Sequence, residues 1–310
     1  MDQSGLSEDV YWALIDVANG LLSGAMLGGY YALIAIGLAL TFGVMRLVNL
    51  AHGDMLIVAA YLAVVVLQFI PISPFLTLIL VVPVMFAIGY GLQRFLLNSV
   101  SVQSMEQKGM STGFGLMSPI LVTFGLSIVI AHALLGAFAS DARIIKNSLS
   151  FSALRLSEDL NVSTLRLIFF CVAVAILVAL HVFLRRTHAG RAIRAASDDA
   201  EVAPLMGINT GRVNAIASGI SLAIAGVAGV MVGMSRTFQP FDGPVFLLVA
   251  FGVVIVGGLG SIFGSLIGGI LLGITQVLAG TYFGPSAQLV GGYMLILLVL
   301  AVRPQGLFAR

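Results

Sequence analysis

The 310-residue chain has 15 Lys and Arg against 13 Asp and Glu, so charged residues make up 9% of it, where a soluble domain has roughly 25%; 59% are hydrophobic and the mean hydropathy is +1.10. No fold can cover such a chain with a polar surface, which excludes a soluble globular protein and points to a lipid bilayer, where a helical crossing needs about 20 apolar residues. The net charge of +2 comes with no dense basic run, so nothing suggests a nucleic-acid partner, and the lone Cys171 excludes an intramolecular disulfide or a cysteine metal cluster.

Residues 1–16 hold Asp2, Glu8, Asp9 and Asp16 but no Lys or Arg, so no cleaved leader is expected; Tyr11 and Trp12 suit a short helix in the headgroup region. Charge-free intervals then place membrane segments at about 20–42, 54–70, 75–97, 117–138, 166–184, 214–234, 245–262 and 266–302. Pro71 and Pro74 separate the second and third, and the last interval divides near Gly284. The reading is an all-α polytopic bundle of eight to nine segments with glycine-broken helices, closing at nine crossings, in a single domain over 1–310. Its longest inner loop is 185–213.

With that loop in the cytoplasm, ten of the fifteen basic residues lie inside, the orientation that the positive-inside rule prefers. The N-terminus is then outside and the C-terminus inside. Glycine occurs 36 times, at helical spacing: Ala225, Gly229 and Gly233 share one face, as do Gly260, Gly264 and Gly268. Small residues of this kind let helix backbones approach closely in lipid. A faint echo between 33–54 and 248–269 suggests a parallel internal repeat.

Asn49, His52 and Asp54 fall between the first two spans in VNLAHGDML, read as lying near the inner face. Such side chains either cap a helix start or line the solute path or its gate. Thr123, Gly125 and Ser127 in TFGLS lie inside the fourth span, where hydroxyls bond a polar solute or the carbonyl one turn back. His132 and His181 have no partner at metal-ligand spacing, so no metal is expected.

The segment from Arg185 to Val213 runs from a basic lead-in through Asp198, Asp199 and Glu201 to an apolar patch of Leu205, Met206 and Ile208 broken by Gly207. The acidic cluster suits a helix start and Gly207 its end. Exposed apolar knobs there invite a soluble partner, although a plain connecting loop has the same composition. The chain has no GxxxxGK[ST] run and only two lysines, Lys108 and Lys146, so any ATP-driven work falls to another subunit.

From about Asn19 onward the sequence resembles the permease subunits of bacterial branched-chain amino acid ABC importers. The likeness is carried in order by NGLLSGAMLGGYYALIAIGLALTFGV, VNLAHGD, TFGLS, GRAIRAASDDAEVAPLMGINTGRV, AGVAGVM, VIVGGLGSIFGSLIGG and RPQGLF. The resemblance implies a non-enzymatic subunit of the inner membrane, without cofactors, working with a second homologous permease, two ATP-binding subunits and an extracytoplasmic solute-binding protein. It also implies that the inner loop is similar to the EAA-type coupling loop, through Glu201, Ala203 and Gly207. Leu205, Met206, Ile208 and Asn209 complete that coupling segment, in which Val202 stands where a small residue is usual and Pro204 interrupts the local helix. An importer of the same family for urea or short amides is the alternative. A secondary transporter or channel needs intramembrane carboxylates, for which Asp54 is the one acidic candidate.

Overall fold

A computed structural model describes residues 3–45, 48–100, 112–147, 153–155, 161–199 and 202–308. The bundle is all-α as expected, apart from one short hairpin. In chain order it comprises α1 (Gln3–Met45), α2 (His52–Phe69), α3 (Leu78–Leu92, prolonged by a π turn to Leu97), α4 (Thr112–Phe138), the antiparallel strands β1 (Ala153–Arg155) and β2 (Asn161–Ser163), α5 (Thr164–Arg186), α6 (His188–Asp198), a 3-10 turn (Ala203–Met206), α7 (Thr210–Ser235), α8 (Gly243–Gly257), α9 (Ile262–Phe283) and α10 (Ala287–Val302).

Seven of these helices are long and apolar enough to cross a membrane, which makes the chain a multi-pass membrane protein. The apolar α8 and α10 have 15 and 16 residues. At 1.5 Å per residue they reach roughly 22–24 Å, short of the ~30 Å hydrocarbon core. All nine apolar segments read from the sequence are therefore helices, two of them too short to cross unaided. The N-terminal segment differs from expectation. Tyr11 and Trp12 belong to the continuous 43-residue α1, not to a separate surface helix, and their rings meet edge-on at 5.8 Å.

The breaks follow backbone chemistry. After α2 the chain is extended at Ile70 and turns through the Pro71–Pro74 segment before α3. Gly258 and Gly260 take φ of 102° and 80°, which ends α8, and Ser261 then caps α9 by accepting the Gly264 N–H at 3.0 Å. Gly260 thus lies in the turn, not on the helical face with Gly264 and Gly268.

Two helices form the centre: the apolar stretches of α1 and of α7 are each 78% buried. Antiparallel α1 and α9 meet through Gly24 and Gly28 against Ile274 and Ile270, so closely that added Cβ atoms would strike backbone. On α7, Gly229 faces the Leu56 carbonyl of α2, and Ser218 and Gly219 face Gly89 of α3. By contrast only 17% of the apolar stretch of α4 is buried.

Candidate functional site

Residues 48–51 lead into α2 and are tied to α4. Asn49 Oδ1 accepts the Ala51 N–H at 3.1 Å, and the Leu50 N–H donates to Thr123 Oγ1 at 3.2 Å. The Thr123 hydroxyl itself donates to the Pro119 carbonyl one turn back, at 2.9 Å. The Thr123 hydroxyl thus makes the expected back-bond and also ties α4 to the loop before α2.

His52 and Asp54 do not lie near the inner face. The His52 ring packs against Gly37, within α1, and the Gly37 carbonyl accepts the Ser221 hydroxyl at 2.7 Å. Ser221 sits close to the middle of α7, so α2 begins at mid-depth in the bundle. His52 is 0% and Asp54 1% exposed. Sequence places polar residues at span ends because lipid excludes them; here the fold supplies a protein interior for them instead.

α8 begins at the same place. Its first residue, Gly243, packs directly on the Asp54 carboxylate, and the Gly243 carbonyl fills the space beside Gly53. Neither oxygen of Asp54 has a hydrogen-bond partner in good geometry, although Ser127 on α4 lies within its reach. Both ring nitrogens of His52, the Tyr61 hydroxyl and Gln93 Oε1 are likewise buried without a partner in good geometry, although the Ile34 backbone lies near the His52 ring. An unsatisfied buried polar group costs about 1–3 kcal/mol, so four such side chains in one bundle would not persist as packing alone.

Toward the inner face this polar line continues into a cavity of about 10 Å³ lined by Thr41, Asn49, Gln93, Thr123 and Ser218, room for roughly one water. Gln93 then bonds Asn98, which donates to the Gly211 carbonyl at 3.1 Å. Toward the other end, Tyr61 stacks on Phe138 at 4.5 Å, with the Arg143 guanidinium 5.2 Å from the Phe138 ring centre. Residues 143–145 pair with Phe238 and Gly233, strapping this loop across the end of α7.

Of the six expected path residues, Asn49, His52, Asp54 and Thr123 converge on this line, and Ser127 borders it. Gly125 is exposed and faces away, with open space where a side chain would stand. Tyr61, Gln93, Ser218 and Ser221 escaped sequence reasoning. Gln93 carried a usable signal as an amide inside an apolar run; the tyrosine and serines did not.

The loop after α5 forms a second surface. α6 ends at Asp198, and Asp199 Oδ1 accepts the Val202 N–H at 3.0 Å, so the acidic cluster ends one helix and caps the 3-10 turn that follows. Glu201 lies outside the described residues. Leu205 and Met206 are 83% and 77% exposed, and Gly207 has φ 78°. Ala203 is instead buried, in a cluster with Ile193, Ala196 and Val213 that Ile208 packs against, and it anchors the turn. Asn209 caps α7 by accepting the Arg212 N–H at 2.9 Å. Within the expected coupling segment the described residues thus divide: Leu205 and Met206 present a surface, whereas Ala203, Ile208 and Asn209 hold it in place.

The chain is 28% identical over 314 aligned positions to the high-affinity branched-chain amino acid transport system permease protein BraD of Pseudomonas aeruginosa, covering 97% of each. It is 29% identical to the corresponding permease protein LivH of Escherichia coli, covering 98% of each. A shorter match, 32% over 148 positions, covers 46% of this chain and 34% of the permease protein LivM of Escherichia coli. No solved structure gives a significant match. The family described as the permease component of branched-chain amino acid transport systems matches residues 20–302, and the chain belongs to that family.

Proposed function

We propose that this chain is the permease subunit of an ATP-driven importer in the bacterial inner membrane and forms the translocation path for branched-chain amino acids. It works beside a second, homologous permease, with two ATP-hydrolysing subunits on the inner face and a solute-binding protein outside. The full-length likeness to permeases of branched-chain amino acid systems supports the solute, and the partial likeness to LivM supports a paired permease.

The observation that carries the coupling role is the pair Leu205 and Met206, exposed on a turn that the buried Ala203 and the Asn209 cap of α7 hold in place. Large apolar side chains presented by a rigid turn are what a cleft on a soluble partner buries, and hydrophobic burial yields about 1.5–3 kcal/mol per such side chain. Asn49, His52, Asp54, Thr123 and Ser127 are the side chains of the path. The test is capture of the cognate ATPase by the detergent-solubilised chain. Wild type retains the ATPase, Leu205→Asp with Met206→Asp does not, and equal retention by both would refute the docking role.

A further inference from the structure

We propose that the meeting point of α2 and α8 is a zwitterion site. The ammonium of the solute pairs with the Asp54 carboxylate, and the carboxylate of the solute takes the place at the start of α8 that Asp54 fills in the closed protein. This rests on the transport reading above and names the chemistry by which the path holds its cargo.

α8 is a 15-residue helix that starts inside the bundle, so the positive end of its dipole faces the protein interior and favours an anion there. Gly243 has no side chain to cover that end; the N-cap Asp242 turns its carboxylate back to the Gln239 N–H, and the anion that meets the helix start is the buried carboxylate of Asp54, with Ser127 beside it. One tethered carboxylate thus plugs an anion site. A solute bearing both charges can exchange with it: the solute carboxylate goes to the helix start, and the released Asp54 becomes the counter-ion of the ammonium. Urea and simple amides carry neither charge and gain neither contact.

Ser127 and Ser221, close to the midpoints of α4 and α7, put the site near mid-depth. Leu247, packed against Gly53 next to Asp54, supplies an apolar neighbour for a branched side chain. The site is closed over by α4, the helix with 17% of its apolar stretch buried, which is tied to the α2 side by Thr123 and the Tyr61–Phe138 stack. Movement of α4 uncovers Asp54 without unpacking α1 or α7.

The experiment is saturation-transfer NMR on the complete transporter in detergent, free of nucleotide and of binding protein. The probes are leucine, 4-methylpentanoate, which lacks the ammonium, and 3-methylbutylamine, which lacks the carboxylate. A charge-assisted contact is worth about 1.5–3 kcal/mol, so wild type should bind leucine about tenfold or more tightly than either analogue. Asp54→Asn should lower leucine affinity to about that of 4-methylpentanoate. Ser127→Ala, at a half-buried position that tolerates the change, should weaken leucine by about threefold and serves if Asp54→Asn does not assemble. Equal binding of all three probes by wild type would overturn the proposal, as would unchanged leucine affinity in Asp54→Asn or, where that variant does not assemble, in Ser127→Ala. Wild-type vesicles that import no amino acid with all partners present would instead remove the transport reading itself.

Discussion

The carboxylate of Asp54 occupies the position where a side chain on Gly243 would begin. Two helices that start inside the bundle are thereby keyed together by one acid and one glycine. Gly243→Ala should destabilise the protein by about 1–3 kcal/mol, since the new Cβ meets both the carboxylate and backbone. Adding Asp54→Ala should recover part of that loss, with a coupling of about 0.5–3 kcal/mol in a double-mutant cycle read by thermal unfolding in detergent. Strict additivity would mean that the two residues do not touch.

Thr123 holds the loop before α2 through the Leu50 N–H while satisfying its own proton on α4. Thr123→Val keeps the shape and leaves that N–H without its acceptor. The expected cost is about 1–3 kcal/mol, together with faster hydrogen exchange at Leu50. Unchanged stability and exchange would show that the tie is incidental.

Gly207 stands at φ 78°, a conformation that L side chains adopt only at a cost of about 1–3 kcal/mol. Gly207→Val should therefore misplace Leu205 and Met206 and abolish solute-stimulated ATP hydrolysis. Leu205→Asp should abolish the same activity with stability changed by no more than about 0.5 kcal/mol, because the side chain is already in solvent. If both variants stimulate the ATPase normally, the loop is only a connector.

Orientation is tested separately. Lys146 lies exposed in the loop after α4 and Arg194 on α6. Single cysteines at these two positions should be labelled from opposite faces of intact vesicles, Lys146→Cys from the outside. Labelling of both from the same face would contradict the positive-inside assignment.

The helices were legible because lipid imposes long charge-free runs, and Pro71, Pro74, Gly258 and Gly284 punctuate them in ways that backbone chemistry dictates. The depth of His52 and Asp54 was not. In a linear reading a charge marks a boundary, and only the packing of α2 against α1, α7 and α8 reveals an interior that accepts one. Gly125 and Ser127 show the same limit at finer scale: two residues apart on one helix, they face opposite surroundings, and the sequence has no signal for which side of α4 meets the bundle. The acidic cluster of Asp198, Asp199 and Glu201 read as a helix start, but Asp198 ends α6 and the Asp199 carboxylate accepts the Val202 N–H ahead of a 3-10 turn that holds Pro204 and closes at Gly207.

The most direct measurement is leucine uptake into vesicles that hold the chain, its paired permease and the ATPase subunits, with loaded binding protein outside and ATP within. Wild type should accumulate leucine only when ATP is present, and Leu205→Asp with Met206→Asp should reduce uptake to the level without ATP. Accumulation that persists without the ATPase subunits, or with ATP omitted, would contradict an ATP-driven importer.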